Sequence, residues 1–341
     1  MYLYGIFHFL SIFRGGLPVL RVSCYSMASD KTMSRENIYG SIEAGGTKFV
    51  CALGSSPHRI LERVTIPTGM PRETLAAATD FLAAAGKKHG APQAIGVCAF
   101  GPVDLDEESP TYGFITTTPK SGWENTDIVG FLKKAFAVPV GFDTDVNGAV
   151  LGEARWGAAR GLGEALYITV GTGIGGGVLV RGRPLHGLVH PEMGHIRVPH
   201  DTRRDPFAGS CPWHGDCLEG LASGPALEKR AGKPARDLAP EDPLWDLEAD
   251  YLAAAVVNFT LTLSPRVIIM GGGVLRAPGL IEKIRERTAR LLNGYLAALS
   301  ANACIVRPAL GDSSGIAGGF VLAEEALAKA ASAKETKPFL V

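Results

Sequence analysis

The chain has 341 residues, enough to bury a large core and to form two domains or lobes rather than one. Its 34 basic and 34 acidic residues cancel, so no global field attracts nucleic acid or anionic lipid, and neither is expected as a partner. The 43 glycines follow no collagen period and form no low-complexity tract, which leaves turns that approach a ligand closely as their use.

Residues 2–13 (YLYGIFHFLSIF) are apolar, but the run is too short to span a bilayer. It also lacks the basic residues and the small-residue cleavage site of an export signal. Residues 1–36 are therefore read as a leader, disordered or produced by a mis-assigned start, with Met27 or Met33 as the true one. No membrane span and a cytoplasmic location are expected. His8, His58 and His89 read as tail or surface residues.

From Asn37 the chain becomes orderly. IYGSIEAGGTKFVCALG reads as strand, glycine turn, strand. The amides of Gly45 and Gly46, with Thr47 and Lys48 as further donors, can face a phosphate. Glycine-bearing hairpin turns are common, so this signal alone is weak. Cys51, Cys98 and Cys304 sit in apolar runs, as free buried thiols do. Residues 138–142 read as a short strand, and a helix is expected from Asn147, with Val150, Leu151 and Trp156 at suitable spacing. Asp143 and Asp145 lie at the junction. An aspartate there can cap the helix, a contribution of about 1 kcal/mol. Asn147 could cap equally well, which leaves one aspartate over, and a carboxylate at a strand's end in a cleft suits a general base. The residues alone leave both readings open.

Residues 165–182 (ALYITVGTGIGGGVLVRG) repeat the strand–turn–strand theme. Gly171, Gly173 and Gly176 fit G-x-G-x-x-G, but that fingerprint needs a helix next, and the apolar, β-branched run that follows reads as a strand. A dinucleotide-binding turn is thereby excluded, and no P-loop pattern occurs. One such unit in each half suggests a duplicated fold that clamps a phosphate chain. A third cluster, Gly271, Gly272 and Gly273, follows the apolar PRVIIM and precedes a helix expected near Pro278, a resting place for a nucleotide's sugar or base.

Residues 190–220 hold the densest chemistry. His195, Cys211, His214 and Cys217 supply two imidazoles and two thiols, the donors of a closed structural zinc site. A Cys211–Cys217 disulfide is the alternative. It requires an oxidising compartment, which the other cysteines argue against. Glu192 and Glu219 lie among these donors, and an enclosed zinc would not use them. His200 is expected to face solvent, and His186 and His190 are left open. Toward the C-terminus, Asp312, Ser313 and Ser314 signal a cap for a helix over residues 317–330, with 332–341 as a frayed tail.

In this order EAGGTK, FDTDVNGAVLGE, GTGIGGGV, PEMGH and a Cys/His cluster ending in CLEGLASGPA resemble the ROK family (repressor, open reading frame, kinase) of the actin-like ATPase superfamily. The resemblance covers about residues 38–331, and the wording IEAGGTKFVCA, TTPKSGW and CPWHGDCLEGLASGPA is similar to the bacterial fructokinase branch. It implies an α/β, actin-like ATPase (ribonuclease H-like) fold with two lobes, a duplicated βββαβα core and a zinc-binding loop over 190–220. The N-terminal lobe would span 37–146 and be completed by a C-terminal helix at 313–331. The C-terminal lobe would span 147–312.

By the same resemblance Asp145 is the catalytic base, with Asn147 in its motif. Thr144, Asp145, Glu192, His195 and Glu219 would contact sugar, and His195 would also bind the structural zinc with Cys211, His214 and Cys217. Gly45, Gly46, Thr47 and Lys48 and then Gly171, Thr172 and Gly173 match the two phosphate loops. Gly271, Gly272 and Gly273 match the adenosine side. Two departures stand out: Thr144 replaces an asparagine of many relatives, and His214 replaces a cysteine. The implied activity is ATP- and Mg2+-dependent phosphorylation of a hexose, D-fructose to fructose 6-phosphate first, in a homodimer. Glucokinase, mannokinase and N-acetylmannosamine kinase are the alternatives. A sugar-sensing repressor is the non-enzyme alternative, and residues 1–36 carry no helix-turn-helix pattern for it.

Overall fold

The computed structural model of the protein describes residues 37–296 and 304–335, and the readings made for the leader and for residues 336–341 lie outside them. Two five-stranded sheets follow one plan. In the first, β1 (Tyr39–Ala44), β2 (Lys48–Ser56) and β3 (Arg59–Pro67) form an antiparallel meander. On the other side of β1, β4 (Ala94–Ala99) adds in parallel. Beyond the short pair β5 (Phe114–Ile115) and β6 (Thr126–Asp127), β7 (Val140–Thr144) adds in parallel to β4.

The second sheet repeats this with β8 (Ala165–Val170), β9 (Ile174–Val180) and β10 (Arg183–Pro184) as the meander, and β11 (Val267–Gly271) and β12 (Ile305–Val306) as the parallel additions. The orders β3-β2-β1-β4-β7 and β10-β9-β8-β11-β12 correspond strand for strand. Each meander opens on one of the anticipated glycine turns. The parallel strands β4 and β11 are buried along their whole length, as continuous apolar runs covered on both faces must be.

Helices α1 (Pro71–His89) and α2 (Ile128–Phe136) pack Leu75, Leu82, Ile128 and Leu132 on one face of the first sheet. α3 (Asp145–Trp156) lies against β8 and β9 of the second sheet. That sheet's opposite face is covered by α6 (Leu244–Leu263) and α7 (Leu280–Leu292), which follow the short α4 (Leu218–Ala222) and α5 (Gly224–Ala231). α8 (Ser314–Glu335) returns to the free face of the first sheet and packs on α3. So α3 and α8, one from each half, form the layer between the sheets.

Their approach depends on missing side chains. A Cβ on Gly318 would fall 1.9 Å from the Gly148 carbonyl oxygen, and α8 meets β4 as closely, since a Cβ on Gly96 would fall 1.8 Å from the carbonyl oxygen of Gly319. Neither backbone could stay where it is beside an alanine, and overpacking of this kind costs about 1–3 kcal/mol or more.

Three boundaries differ from expectation. β7 begins at Val140 rather than 138, because Pro139 has no N–H to give the ladder and joins it only through its carbonyl, which accepts from Ile95. The helix after Gly273 starts at Leu280, preceded by a 3-10 turn at Val274–Arg276. Residues 332–335 are the last turn of α8, not a frayed tail. Among the described residues no helix is long and apolar enough to cross a membrane.

The loop at 116–123 is fixed by its last residue. Trp123 is fully buried, its Nε1 donates to the Gly69 carbonyl at 2.9 Å, and its ring lies 5.4 Å from both Phe49 and Phe100. Aromatic pairs of this kind each contribute about 0.5–1.5 kcal/mol beyond the area they bury.

Candidate active site

The strand-to-helix junction at Asp145 is built without either aspartate as a cap. Thr144 is the cap: it keeps extended backbone at the strand's end, and its Oγ1 accepts from Asn147 N at 3.1 Å. The expectation that an aspartate or Asn147 caps α3 is thereby corrected. Thr144 is also buried, at 3% exposed, so the helix start is what its hydroxyl serves.

Both aspartates are released for other work, and they differ. Asp143 is buried and saturated: Oδ1 accepts from Thr144 N and from Asn147 Nδ2, each at 2.7 Å, while Oδ2 lies 3.0 Å from His186 Nε2. That bond raises the imidazole of His186 above its usual range and ties the segment after β10 to the end of β7. Asp145 accepts from backbone alone among the described residues, with Val146 N at 2.9 Å. Burial pushes its carboxyl up to about 6 against that bond. A carboxylate poised near neutrality, with free acceptor positions, can take a proton.

Asp145 lines a cavity of about 310 Å3, a size that suits a small ligand. Lys48, Arg276 and Arg307 give it cationic walls, while Thr169, Gly271 and Gly272 come from the second sheet. Glu43, at the end of β1, faces the same space. Burial first, and then the charge of Asp145, push its carboxyl up to about 7, although Lys48 pulls the other way. Its Oε2 is buried with no hydrogen-bond partner among the described residues.

Lys48, Gly271 and Gly272 are thus the anticipated nucleotide residues that line the cavity. Gly45, Gly46, Thr47, Gly171, Thr172, Gly173 and Gly273 lie outside its lining. Two of the expected phosphate donors are turned inward. Gly45 N donates to Lys48 O at 3.0 Å and Gly171 N to Gly173 O at 2.9 Å, so these amides close their own turns.

Two further carboxylates converge beside Asp145. Glu219, at the start of α4, accepts from Ile174 N at 2.9 Å. It reaches that amide because residue 173 is glycine: a Cβ there would stand 2.7 Å from Glu219 Oε2. Glu192 precedes the 3-10 turn Met193–His195 and keeps 41% of its side chain exposed. The surrounding walls still desolvate its carboxyl and, with the charges of Glu219 and Asp145, push it up to about 7. His190 is buried under this group, with Nε2 accepting from Val103 N at 3.1 Å and Nδ1 lying 3.5 Å from Glu192 Oε1. Burial holds its imidazole below the usual range, which agrees with an accepting, neutral ring.

The four metal-type donors meet in one place. The ligand atoms of His195, Cys211, His214 and Cys217 all lie within 4.8 Å of one another. His195 Nδ1 is 3.5 Å from Cys217 Sγ and 3.8 Å from Cys211 Sγ, and His214 Nδ1 is 3.7 Å from Cys211 Sγ. Tetrahedral zinc with ordinary Zn–S and Zn–N bonds needs an N···S edge of about 3.6 Å. Both cysteines are free thiols, so the disulfide alternative is not formed.

His200 is not the solvent-facing residue expected. Its side chain is 6% exposed, with Nε2 2.9 Å from Asp205 O and Nδ1 3.3 Å from Asp216 Oδ2. Asp205 is itself held by Arg230, at 3.2 and 2.9 Å, and by Tyr251 OH at 2.7 Å. The polar loop after His200 folds back to form this network, which no local pattern announces.

With this geometry in view, residues 39–326 match the model of the ROK family. The chain belongs to the ROK family. It is 47% identical over 305 residues to a putative fructokinase of Bacillus subtilis (strain 168), a match covering 87% of this chain and 99% of that one. It is 46% identical over 292 residues to a fructokinase of Zymomonas mobilis, covering 84% and 97%. Among solved structures, a ROK family glucokinase from Streptomyces griseus in complex with glucose and AMPPNP shares the fold with a TM-score of 0.70 at 25% identity, over 85% of this chain and 100% of that one. The actin-like, duplicated α/β architecture expected of a ROK protein is the one observed.

This ROK chain also has site residues that its motifs did not single out. Glu43 stands beside the first glycine turn, and an acid directly before A-G-G is the one local signal of its place in the site. Asp143 with His186, and His190 with Val103, pair positions 43 and 87 residues apart, and local spacing carries no trace of such contacts.

Proposed function

We propose that this chain transfers the γ-phosphate of ATP to a hexose, with D-fructose first, yielding fructose 6-phosphate. The fructokinase names of the B. subtilis and Z. mobilis relatives, similar over most of both chains, support the sugar. The AMPPNP in the S. griseus glucokinase complex supports the nucleotide. One observation carries the reading. Asp145 belongs to both halves of the site: it lines the cationic cavity with Lys48 and Gly271, and its charge is felt by Glu192 alongside Glu219.

The steps follow from that arrangement. Glu192 and Glu219 accept hydrogen bonds from sugar hydroxyls, with His195 at the edge of the same pocket. Asp145 takes the proton of the attacking primary hydroxyl as its oxygen forms the new bond to phosphorus and the bond to the ADP oxygen breaks. Phosphoryl transfer asks mainly for positioning and charge stabilisation. Lys48, Arg276 and Arg307 supply positive charge, and Gly46, Thr47, Thr172 and Gly273 add contacts when the halves close on substrate. Lobes at 37–146 with the C-terminal helix, and at 147–312, are the bodies that would close.

The residues present fit both metals. Glu43, with its unpartnered buried oxygen beside Asp145, would hold Mg2+, which supplies neutralisation of phosphate charge. His195, Cys211, His214 and Cys217 would hold zinc in a closed set, as a scaffold for Glu192 and Glu219.

The test is a coupled ADP-release assay over fructose, glucose, mannose and N-acetylmannosamine, with and without a chelator. Fructose is expected to give the highest kcat/KM. A preference for another hexose would overturn the sugar assignment, and no ADP release with any of them would overturn the activity.

A homodimer is part of the same proposal. Val180, Leu188, Val189 and Leu261 are exposed apolar side chains. An apolar cavity of about 400 Å3 lined by Leu185, Met193, Ile196 and Phe259 lies on elements adjoining them in sequence. Light scattering at twice the chain mass would bear this out, and a single-chain mass would sink it. The free thiols of Cys51, Cys98, Cys211 and Cys217 support a reducing, cytoplasmic location.

A further inference from the structure

Glu153 is fully buried and has no basic partner among the described residues, yet every acceptor position it has is used. Its Oε1 accepts from Leu310 N at 3.0 Å and from Ser314 Oγ at 2.7 Å. Its Oε2 accepts from Ala158 N at 2.7 Å and from Ala309 N at 3.1 Å. Four donors and no acceptor suit a carboxylate, and charge-assisted bonds of this kind are among the stronger ones. The turn that follows α3 is shaped around it: a Cβ on Gly157 would fall 2.0 Å from Oε2.

What it grips is one wall of the cavity. Pro308, Gly311, Asp312 and Ser314 line the space that Asp145 lines from the other side. Three of the four donors, at 309, 310 and 314, lie within that segment. Asp145 and Glu153 are eight residues apart on one helix, about 12 Å of rigid rise.

We infer that Glu153 is a positioning residue for phosphoryl transfer: it pins the nucleotide wall at residues 308–314 to the helix that carries Asp145, so that α3 itself sets the spacing between phosphate donor and base. The inference rests on the proposed assignment of this cavity to ATP. A misplacement of the wall would be felt as lost nucleotide affinity and lost turnover, while the sugar acids, held by α4 and the 3-10 turn at Met193–His195, would stay where they are.

Glu153→Gln tests it, because the isosteric amide must set an NH2 group against an N–H donor. The expected result is a KM for ATP raised by about fivefold or more and a kcat lowered by about tenfold, with the KM for sugar within about twofold of wild type. Should that variant fail to fold, Ser314→Ala removes one of the four donors and must move the same ratio of the two KM values. A general loss of stability would shift both KM values together or only reduce the active fraction. Equal shifts, or an unchanged KM for ATP in a folded variant, would overturn the inference. Calorimetry of AMPPNP on the wild type separates the two levels: no binding removes the cavity assignment, whereas wild-type binding matched by Glu153→Gln removes only the role of Glu153.

Discussion

Asp145→Asn is expected to lower kcat by about 10³-fold or more while sugar affinity stays within about twofold. The carboxyl accepts from Val146 N, and the amide oxygen can keep that bond. What the amide cannot do is accept a proton. Burial raises the folded pKa of Asp145 to about 6, so the base form is lost as pH falls and kcat should climb through about pH 6 toward a plateau. In the variant this limb should vanish. Stability gives the control. A group whose folded pKa is raised favours folding below its unfolded pKa and loses that contribution as pH rises through the folded value. The neutral amide avoids the loss, so at pH 7 the variant should melt no lower than wild type. Near-normal turnover with the pH limb intact would remove Asp145 from its role.

Loss of Cys217, a ligand of the proposed zinc, is expected to act on the sugar and not on the nucleotide. Cys217 is fully buried and is the residue before α4, two positions ahead of Glu219. A serine hydroxyl is a poor replacement for a thiolate on zinc, and loss of such support lowers affinity or activity by about 10- to 100-fold. Cys217→Ser, or wild type treated with a chelator, should therefore show a KM for sugar raised about tenfold with AMPPNP binding little changed. Complete unfolding is not expected, because the loop has a second hold. Asp216 bonds Arg197 and His200, and His200 leads to the buried Asp205, Arg230 and Tyr251. Elemental analysis and calorimetry together decide it: fully active protein without zinc would end the scaffold reading.

The parts of this fold that were legible are those set by neighbours in sequence. Both hairpins could be read because β-branched runs flank a glycine turn, and the strand after Gly176 was enough to reject a dinucleotide fingerprint. The metal-type cluster was legible because Cys211, His214 and Cys217 lie within one turn-forming stretch. The cap at Thr144 was not, since aspartate and asparagine are commoner caps and both stand beside it. Glu43 was hidden for a different reason. Its significance comes from burial against Asp145 and Gly315, elements 102 and 272 residues away. The phosphate turns show the limit of reading composition alone: glycines there do permit close approach, but part of what approaches is their own backbone.

The helix α8 has one more implication, for the order in which the protein is made. The strands β1, β4 and β7 leave the ribosome first, yet the face they present is closed by the last long helix. Ser41 Oγ donates to the carbonyl of Ile316 across 275 positions, and Phe320 and Ala323 complete the packing against Tyr39, Val50 and Ala94. The first-made sheet therefore cannot reach its final state during elongation, because contacts of such long range must wait for both partners. What waits is largely small: Ser41, Ala94, Gly96 and Gly141 line much of the open face. A nascent chain paused before residue 314 thus leaves these small side chains uncovered together with the apolar Tyr39 and Val50, an open face that only the last helix closes.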